Sequence, residues 1–179
     1  MGYRISEVVL DEKAVRDGVS RLARAIDRDL GGKPVLLVGV LKGSVFFLCD
    51  LARQIHSPVS LDFLRASSYG ARTRSSGRVR VADRGSVDPE GRDVILVEDI
   101  VDTGRTVEKT LELLRARKPR SLKVCALLRK RKRAAMAVSI DYLGFDIDDR
   151  FVVGYGLDLA EAHRNLPYVA AIEETKGDS

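Results

Sequence analysis

A chain of 179 residues, 45% hydrophobic and 32% charged, with 15 Gly and 5 Pro, has the size and composition of one globular domain and excludes a disordered, collagenous or low-complexity polymer. Its longest uninterrupted apolar run, residues 35–41, is far shorter than the about 18 residues of a membrane helix, and the acids near the N-terminus are unlike a secretory signal, which points to a cytoplasmic protein. The net charge of +5 is local, because ten of the 31 Lys and Arg residues lie between Arg115 and Arg133 with no Asp or Glu among them.

Residues 6–30 carry apolar positions at near-helical spacing (Val15, Val19, Leu22, Ala23, Ile26) and stop at Gly31-Gly32, which predicts an opening helix. Pro34 leads into VLLVGV, a β-branched apolar run of the kind buried in a parallel sheet. A helix is expected over residues 43–55, and VSLDFLRA at 59–66 alternates as a strand. Residues 67–91 break the pattern. They are rich in Ser, Gly and Arg, only RVRVA resembles a strand, and a polar segment that long reads as a lid. DVILV at 93–97 is a second buried strand, followed by the loop EDIVDTGR and an amphipathic helix at 106–117. LKVCALL at 122–128 is a third core strand. From Ile140 onward come three short strand-like pieces (SIDYLGF, RFVVGYG, YVAAIE) that suggest a small subdomain. The alternation predicts an α/β fold with a mainly parallel sheet. Cys49 and Cys125 both sit in apolar segments and read as buried free thiols rather than a disulfide or zinc pair.

The chemistry concentrates in the loop after DVILV. Glu98, Asp99 and Asp102 place three carboxylates in five positions, followed by Thr103, Gly104 and Thr106 at a helix start. Acids suit sugar hydroxyls, and hydroxyls with open backbone N–H groups at a helix N-terminus suit a phosphate. A capped helix start accounts for one acid, not three. No GxxxxGK[ST] and no GxGxxG after a strand is present.

This segment resembles the 5-phosphoribosyl-1-pyrophosphate binding motif of type I phosphoribosyltransferases. With three further motifs in the same order, the chain resembles the hypoxanthine-guanine phosphoribosyltransferase family from about residue 35 to 173. The resemblance implies one domain over residues 1–179, with a mainly parallel sheet flanked by helices, a mobile loop at about 67–91, and a small hood subdomain fed by about 145–179. It implies that Glu98 and Asp99 accept from the ribose hydroxyls. The turn Asp102, Thr103, Gly104, Arg105, Thr106 holds the 5-phosphate, and Asp102 is the general base. Leu41, Lys42 and Gly43 match the pyrophosphate loop, with a cis peptide before the lysine, and Arg164 matches an arginine on pyrophosphate. Ser68 and Tyr69 match the lid. Lys130 matches the lysine that donates to the 6-oxo group of the purine, Phe151 the aromatic that stacks on the base, Val152 the residue whose backbone meets the base edge, and Asp158 a carboxylate near base and metal.

The implied reaction is purine salvage. The phosphoribosyl group passes from 5-phosphoribosyl-1-pyrophosphate to hypoxanthine or guanine, giving IMP or GMP plus pyrophosphate. Mg²⁺ is the implied cofactor, held by Glu98, Asp99 and Asp158, and a homodimer or homotetramer the implied assembly. His56 and His163 match nothing catalytic. The alternative from a different class is a regulatory protein on the same scaffold that binds nucleic acid through residues 115–133, although retention of Asp102, Lys130 and Asp158 together favours the enzyme.

Overall fold

The computed structural model describes residues 2–68, 79–82, 87–131 and 138–175, and the side chains of 67–68 and 79–82 are left aside. Tyr69, the Ser68 side chain, Lys132, Arg133 and most of the expected lid therefore lie outside the described residues. The order of elements is β1 (Gly2–Leu10), α1 (Glu12–Leu30), β2 (Val35–Leu41), α2 (Val45–Gln54), β3 (Val59–Ser68), β4 (Val79–Ala82), β5 (Asp93–Val101), α3 (Arg105–Arg115), β6 (Ser121–Lys130), β7 (Tyr142–Ile147), β8 (Val152–Val153) and β9 (Val169–Thr175). Among the described residues, no helix is long and apolar enough to cross a membrane.

Six strands form one sheet in the order β4-β3-β2-β5-β6-β7, parallel throughout except for the antiparallel edge strand β4. Side chains alternate across each strand, and both faces of the central strands are buried. On one face Val35 and Leu37 of β2, Ile95 and Val97 of β5, and Cys125 and Leu127 of β6 pack with Val15, Val19, Leu22 and Ile26 of α1 and Phe47, Leu48 and Leu51 of α2. On the other, Leu36, Val38, Leu96, Val124 and Ala126 pack with Val107, Leu111 and Leu114 of α3. The apolar stripes of α1 and α3 have a sheet face each.

The second sheet is antiparallel, in the order β1-β9-β8. Here the structure corrects two expectations. The opening helix begins at Glu12 rather than residue 6, because Asp11 caps it by accepting from the Ala14 N–H at 2.7 Å, and the preceding residues form β1, zipped onto β9 from Gly2↔Thr175 to Leu10↔Val169. A partner almost the whole chain length away leaves no local signal. The second correction concerns β7, which was grouped with the C-terminal subdomain but joins the main sheet parallel to β6, from Cys125↔Tyr142 to Lys130↔Ile147. Val152, Tyr155, Leu157 and Val169 of the hood region share the buried cluster of α1 and α2, so the small sheet is continuous with the core.

Candidate active site

From β2 the chain moves outward to β3 on one side, then returns to lay β5, β6 and β7 on the other. Loops leaving the two central strands, β2 and β5, therefore diverge, and a crevice opens beyond the carboxyl ends of the strands at this switch point. A cavity of about 380 Å³ lies there. It is lined by Leu41 at the end of β2 with Lys42 and Gly43 after it, by Glu98 and Asp99 of β5, Asp102 of its loop and Thr106 of α3, by Lys130 closing β6, and by Phe151, Val152, Asp158 and Arg164 from the hood region. Residues from four separated motifs thus share one space. Thr103, Gly104 and Arg105 form the turn into α3 and do not line the cavity. Val40, Ile100 and Leu157 do line it and were not anticipated. Each is an apolar neighbour of a predicted residue, and that adjacency is the only sequence signal they carry.

Glu98 and Asp99 are not in a loop, as the sequence suggested, but inside β5, which runs to Val101 with Glu98 opposite Ala126 and Ile100 opposite Leu128 of β6. Strand geometry buries Glu98 and half-buries Asp99. Glu98 is 4% exposed, and among the described residues its Oε1 has no hydrogen-bond partner. Burial, and then the neighbouring charge of Asp99, push its carboxyl well above the usual carboxylate range. Burial likewise pushes Asp99 up to about 6, against the pull of the Ile100 and Asp99 backbone N–H groups and of Arg164. Two neighbouring acids with raised pKa values at the end of β5 mark this part of the cavity as a candidate functional site.

The loops around these acids fit by the absence of side chains. A Cβ on Gly43 would fall 1.8 Å from Asp99 Oδ2, and one on Gly156 would fall 2.0 Å from the Gly43 carbonyl oxygen. Asp99, Gly43 and Gly156 therefore stack in three layers, with Gly156 at φ 98° in the left-handed region that favours glycine. The Leu41–Lys42 peptide is cis, as the resemblance implied. Neither helix that starts at the cavity has a side-chain cap. Ser44 turns its hydroxyl back to the Val40 carbonyl at 2.7 Å, and α3 begins at Gly104, which has no side chain to offer. By contrast α1, which starts elsewhere, is capped by Asp11.

Lys130 is only 12% exposed and lies 3.8 Å from Asp102 Oδ2 and 3.5 Å from Asp149 Oδ1. Asp149 was not anticipated. Arg164 pairs with Asp158 Oδ1 at 2.7 Å and donates to the Gly156 carbonyl at 2.7 Å. Phe151 presents a ring that is 42% exposed, while Val152 is buried and paired with Ala171. Among the described residues, no group of three or more His, Cys, Asp or Glu side chains is placed to hold a metal. The expected set Glu98, Asp99 and Asp158 is thus not a self-sufficient cage.

Among the described residues, several members of the basic run are held in separate pairs. Arg120 and Ser121 bind Asp93, Lys123 binds Asp29 at 2.7 Å, and Arg129 binds Asp146 at 2.6 Å. His56 has no place in the cavity; it and Ser57 donate to Asp27 where α2 gives way to β3. His163 does not line it either.

The phosphoribosyl transferase domain family matches residues 6–160. The chain is 46% identical over 172 residues to the hypoxanthine-guanine phosphoribosyltransferase of Dictyostelium discoideum, covering 94% of this chain and 96% of that one. It is 45% identical over 175 residues to the enzyme of that name from Mycobacterium avium, covering 94% and 86%. The crystal structure of a hypoxanthine-guanine phosphoribosyltransferase from Bacillus anthracis superposes with a TM-score of 0.88 at 38% identity, over 97% of this chain and all of that one.

Proposed function

The chain belongs to the phosphoribosyl transferase family, and on that premise we propose that it performs purine salvage, transferring the phosphoribosyl group of 5-phosphoribosyl-1-pyrophosphate to hypoxanthine or guanine. The products are IMP or GMP and pyrophosphate. The observation that carries this reading is the convergence of Lys42, Asp99, Asp102, Lys130 and Phe151, from four stretches of sequence, on one cavity at the switch point.

The ribose hydroxyls donate to the carboxylates of Glu98 and Asp99, and the buried Oε1 of Glu98 has unused acceptor capacity there. The uncapped start of α3 receives the 5-phosphate through its free backbone N–H groups, and the turn 102–104 shapes the approach. Lys42, the backbone at Gly43, and Arg164 receive the pyrophosphate. The purine stacks on Phe151 and meets the backbone at Val152. Lys130 is donor-only, so it favours a 6-oxo group and disfavours the 6-amino group of adenine.

As the purine ring nitrogen bonds to the anomeric carbon, the bond from that carbon to the pyrophosphate oxygen breaks and the leaving group takes the electron pair. Asp102 accepts the proton that the imidazole ring of the purine loses. With Lys130 Nζ 3.8 Å from the Asp102 carboxylate, base recognition and proton acceptance sit side by side.

Mg²⁺ fits these residues. Glu98, Asp99 and Asp158 supply hard carboxylate oxygens, all three line the cavity, and the lack of a protein cage among the described residues suits an ion that completes its shell with substrate oxygens and water. When bound it lowers the charge that builds on the leaving pyrophosphate. Free Cys49 and Cys125 accord with a cytoplasmic location. Exposed Phe46 and Leu61 offer apolar surface for a homodimer or homotetramer. The ion pairing of Arg120, Lys123 and Arg129 within the basic run favours small-molecule substrates over nucleic acid.

The test is a steady-state assay with hypoxanthine, guanine, xanthine and adenine side by side, with Mg²⁺ present and then chelated. Turnover of hypoxanthine and guanine with Mg²⁺ alone, and little with adenine, is expected. No nucleotide product from any base would refute the reading.

A further inference from the structure

Glu161 lies outside every motif and does not line the cavity, yet it grips two of the cations that do. Its Oε2 is 2.9 Å from Lys42 Nζ and 3.5 Å from an Arg164 guanidinium nitrogen. The cations among the described lining residues are Lys42, Lys130 and Arg164, so one carboxylate from the rim engages both of those assigned to pyrophosphate.

The backbone is bent to bring it there. Ala160, Glu161 and His163 have φ of 50°, 66° and 73°, all left-handed and none glycine. Such conformations are costly and persist where surrounding contacts hold them. Those contacts are present: Asp158 Oδ2 accepts from the Glu161 N–H at 2.9 Å, and Leu159 and Ala162 exchange backbone hydrogen bonds at 3.3 and 3.0 Å. Asp158 thereby ties Arg164 with one oxygen and the Glu161 backbone with the other.

We propose that Glu161 is an internal anion that occupies Lys42 and Arg164 while the cavity is empty and is displaced by the pyrophosphate group. This rests on the phosphoribosyltransferase reading. In this role Glu161 is a positioning residue. It keeps two cations aimed at one point, so that the mouth does not collapse onto Asp158 and Asp99, and it competes with pyrophosphate for them, which hastens release of the product. A merely structural brace would do the first and not the second.

The experiment is titration calorimetry of the full chain with pyrophosphate in the presence of Mg²⁺, comparing the unsubstituted protein with Glu161→Gln, with Glu161→Asp, and with Glu112→Gln. The last removes an equal charge from α3, where Glu112 pairs only locally with Lys109. Glu161→Gln is expected to tighten Kd by about threefold to tenfold, the scale of two partly exposed ion pairs and one like-charge repulsion. Glu161→Asp, shorter by one methylene, tightens it less, and Glu112→Gln leaves it unchanged. Thermal midpoints confirm that each variant is folded. Equal or weaker pyrophosphate binding by Glu161→Gln overturns the inference and leaves the transferase reading standing. Absence of pyrophosphate uptake by the unsubstituted protein overturns both.

Discussion

At the start of β5, Asp93 accepts from the Arg120 guanidinium and from Ser121 Oγ at 2.6 Å, and these donors hold its carboxyl at about 2. At the other end of the same strand, Glu98 is buried with one oxygen unpartnered among the described residues, and it and the half-buried Asp99 are both pushed up, Asp99 to about 6 despite the pull of Arg164. The base of the sheet repeats the first pattern. Asp29 is bound by Lys123 and Tyr142, and Asp27, although burial raises it, is held at about 2 by the His56 and Ser57 donors. One residue chemistry is therefore used in two ways. Asp27, Asp29 and Asp93, near the amino ends of the strands, each have a partner inside the protein, while Glu98, near the carboxyl end of β5, keeps acceptor capacity for a ligand.

Four substitutions probe this division, the largest effect first. Asp102→Asn removes the proton acceptor and keeps the shape, so kcat falls by about 10²- to 10⁴-fold while calorimetric affinity for 5-phosphoribosyl-1-pyrophosphate is retained; unchanged turnover removes Asp102 from the base role. Lys130→Ala raises KM for hypoxanthine and guanine by about 10- to 100-fold in steady-state assays. An equal loss for adenine would mean that Lys130 does not read the 6-oxo group.

The two ends of β5 then part in sign. At pH 7.5, Asp99→Asn relieves the cost of a buried charge and stabilises the fold by about 2 kcal/mol in urea denaturation. Asp93→Asn loses its donors' charge partner and lowers the thermal midpoint by a few degrees, with kcat unaffected. Shifts of the same sign would erase the distinction drawn here.

The smallest effect is the pH profile of stability. Asp27 and Asp93 have folded pKa values of about 2 against 3.8 for the free side chain, so their contribution is complete above 3.8 and is lost as pH falls through about 2. Asp99 runs the other way. Its protonated form is favoured in the fold, so the advantage is complete below 3.8 and is lost as pH rises through about 6. Urea midpoints followed from pH 3 to 8 are expected to decline between about 4 and 6 in the unsubstituted protein, and that decline is expected to be shallower in Asp99→Asn, where Glu98, also raised by burial, supplies what remains.

Much of this was legible in the chain itself, and the exceptions have physical causes. The strands β2, β5 and β6 are read from apolar runs because both their faces are buried, and α1 and α3 from stripes that each meet one sheet face. The start of β1 was misread because its partner is β9, and strand pairing across the whole chain leaves no periodic trace. The end of β5 was misread because Glu98 and Asp99 interrupt its apolar run, although they pair with β6 like their neighbours; polarity marked a loop where function had put acids in a strand. The site followed the same rule. Charged residues with family spacing were found, whereas Glu161 and Asp149 were not, since each acts through a cation supplied by a distant segment.

The bare first turns of α2 and α3 carry a consequence for anyone engineering a hardier version of this protein. Gly104→Asn can adopt the left-handed backbone that position needs and could close α3 with its own side chain, a change that ordinarily raises heat tolerance. Under the proposed function, the amides it satisfies are the ones the 5-phosphate needs. Thermal hardening at these two helix starts and affinity for the sugar donor draw on the same few N–H groups, so gaining one by this route gives up the other.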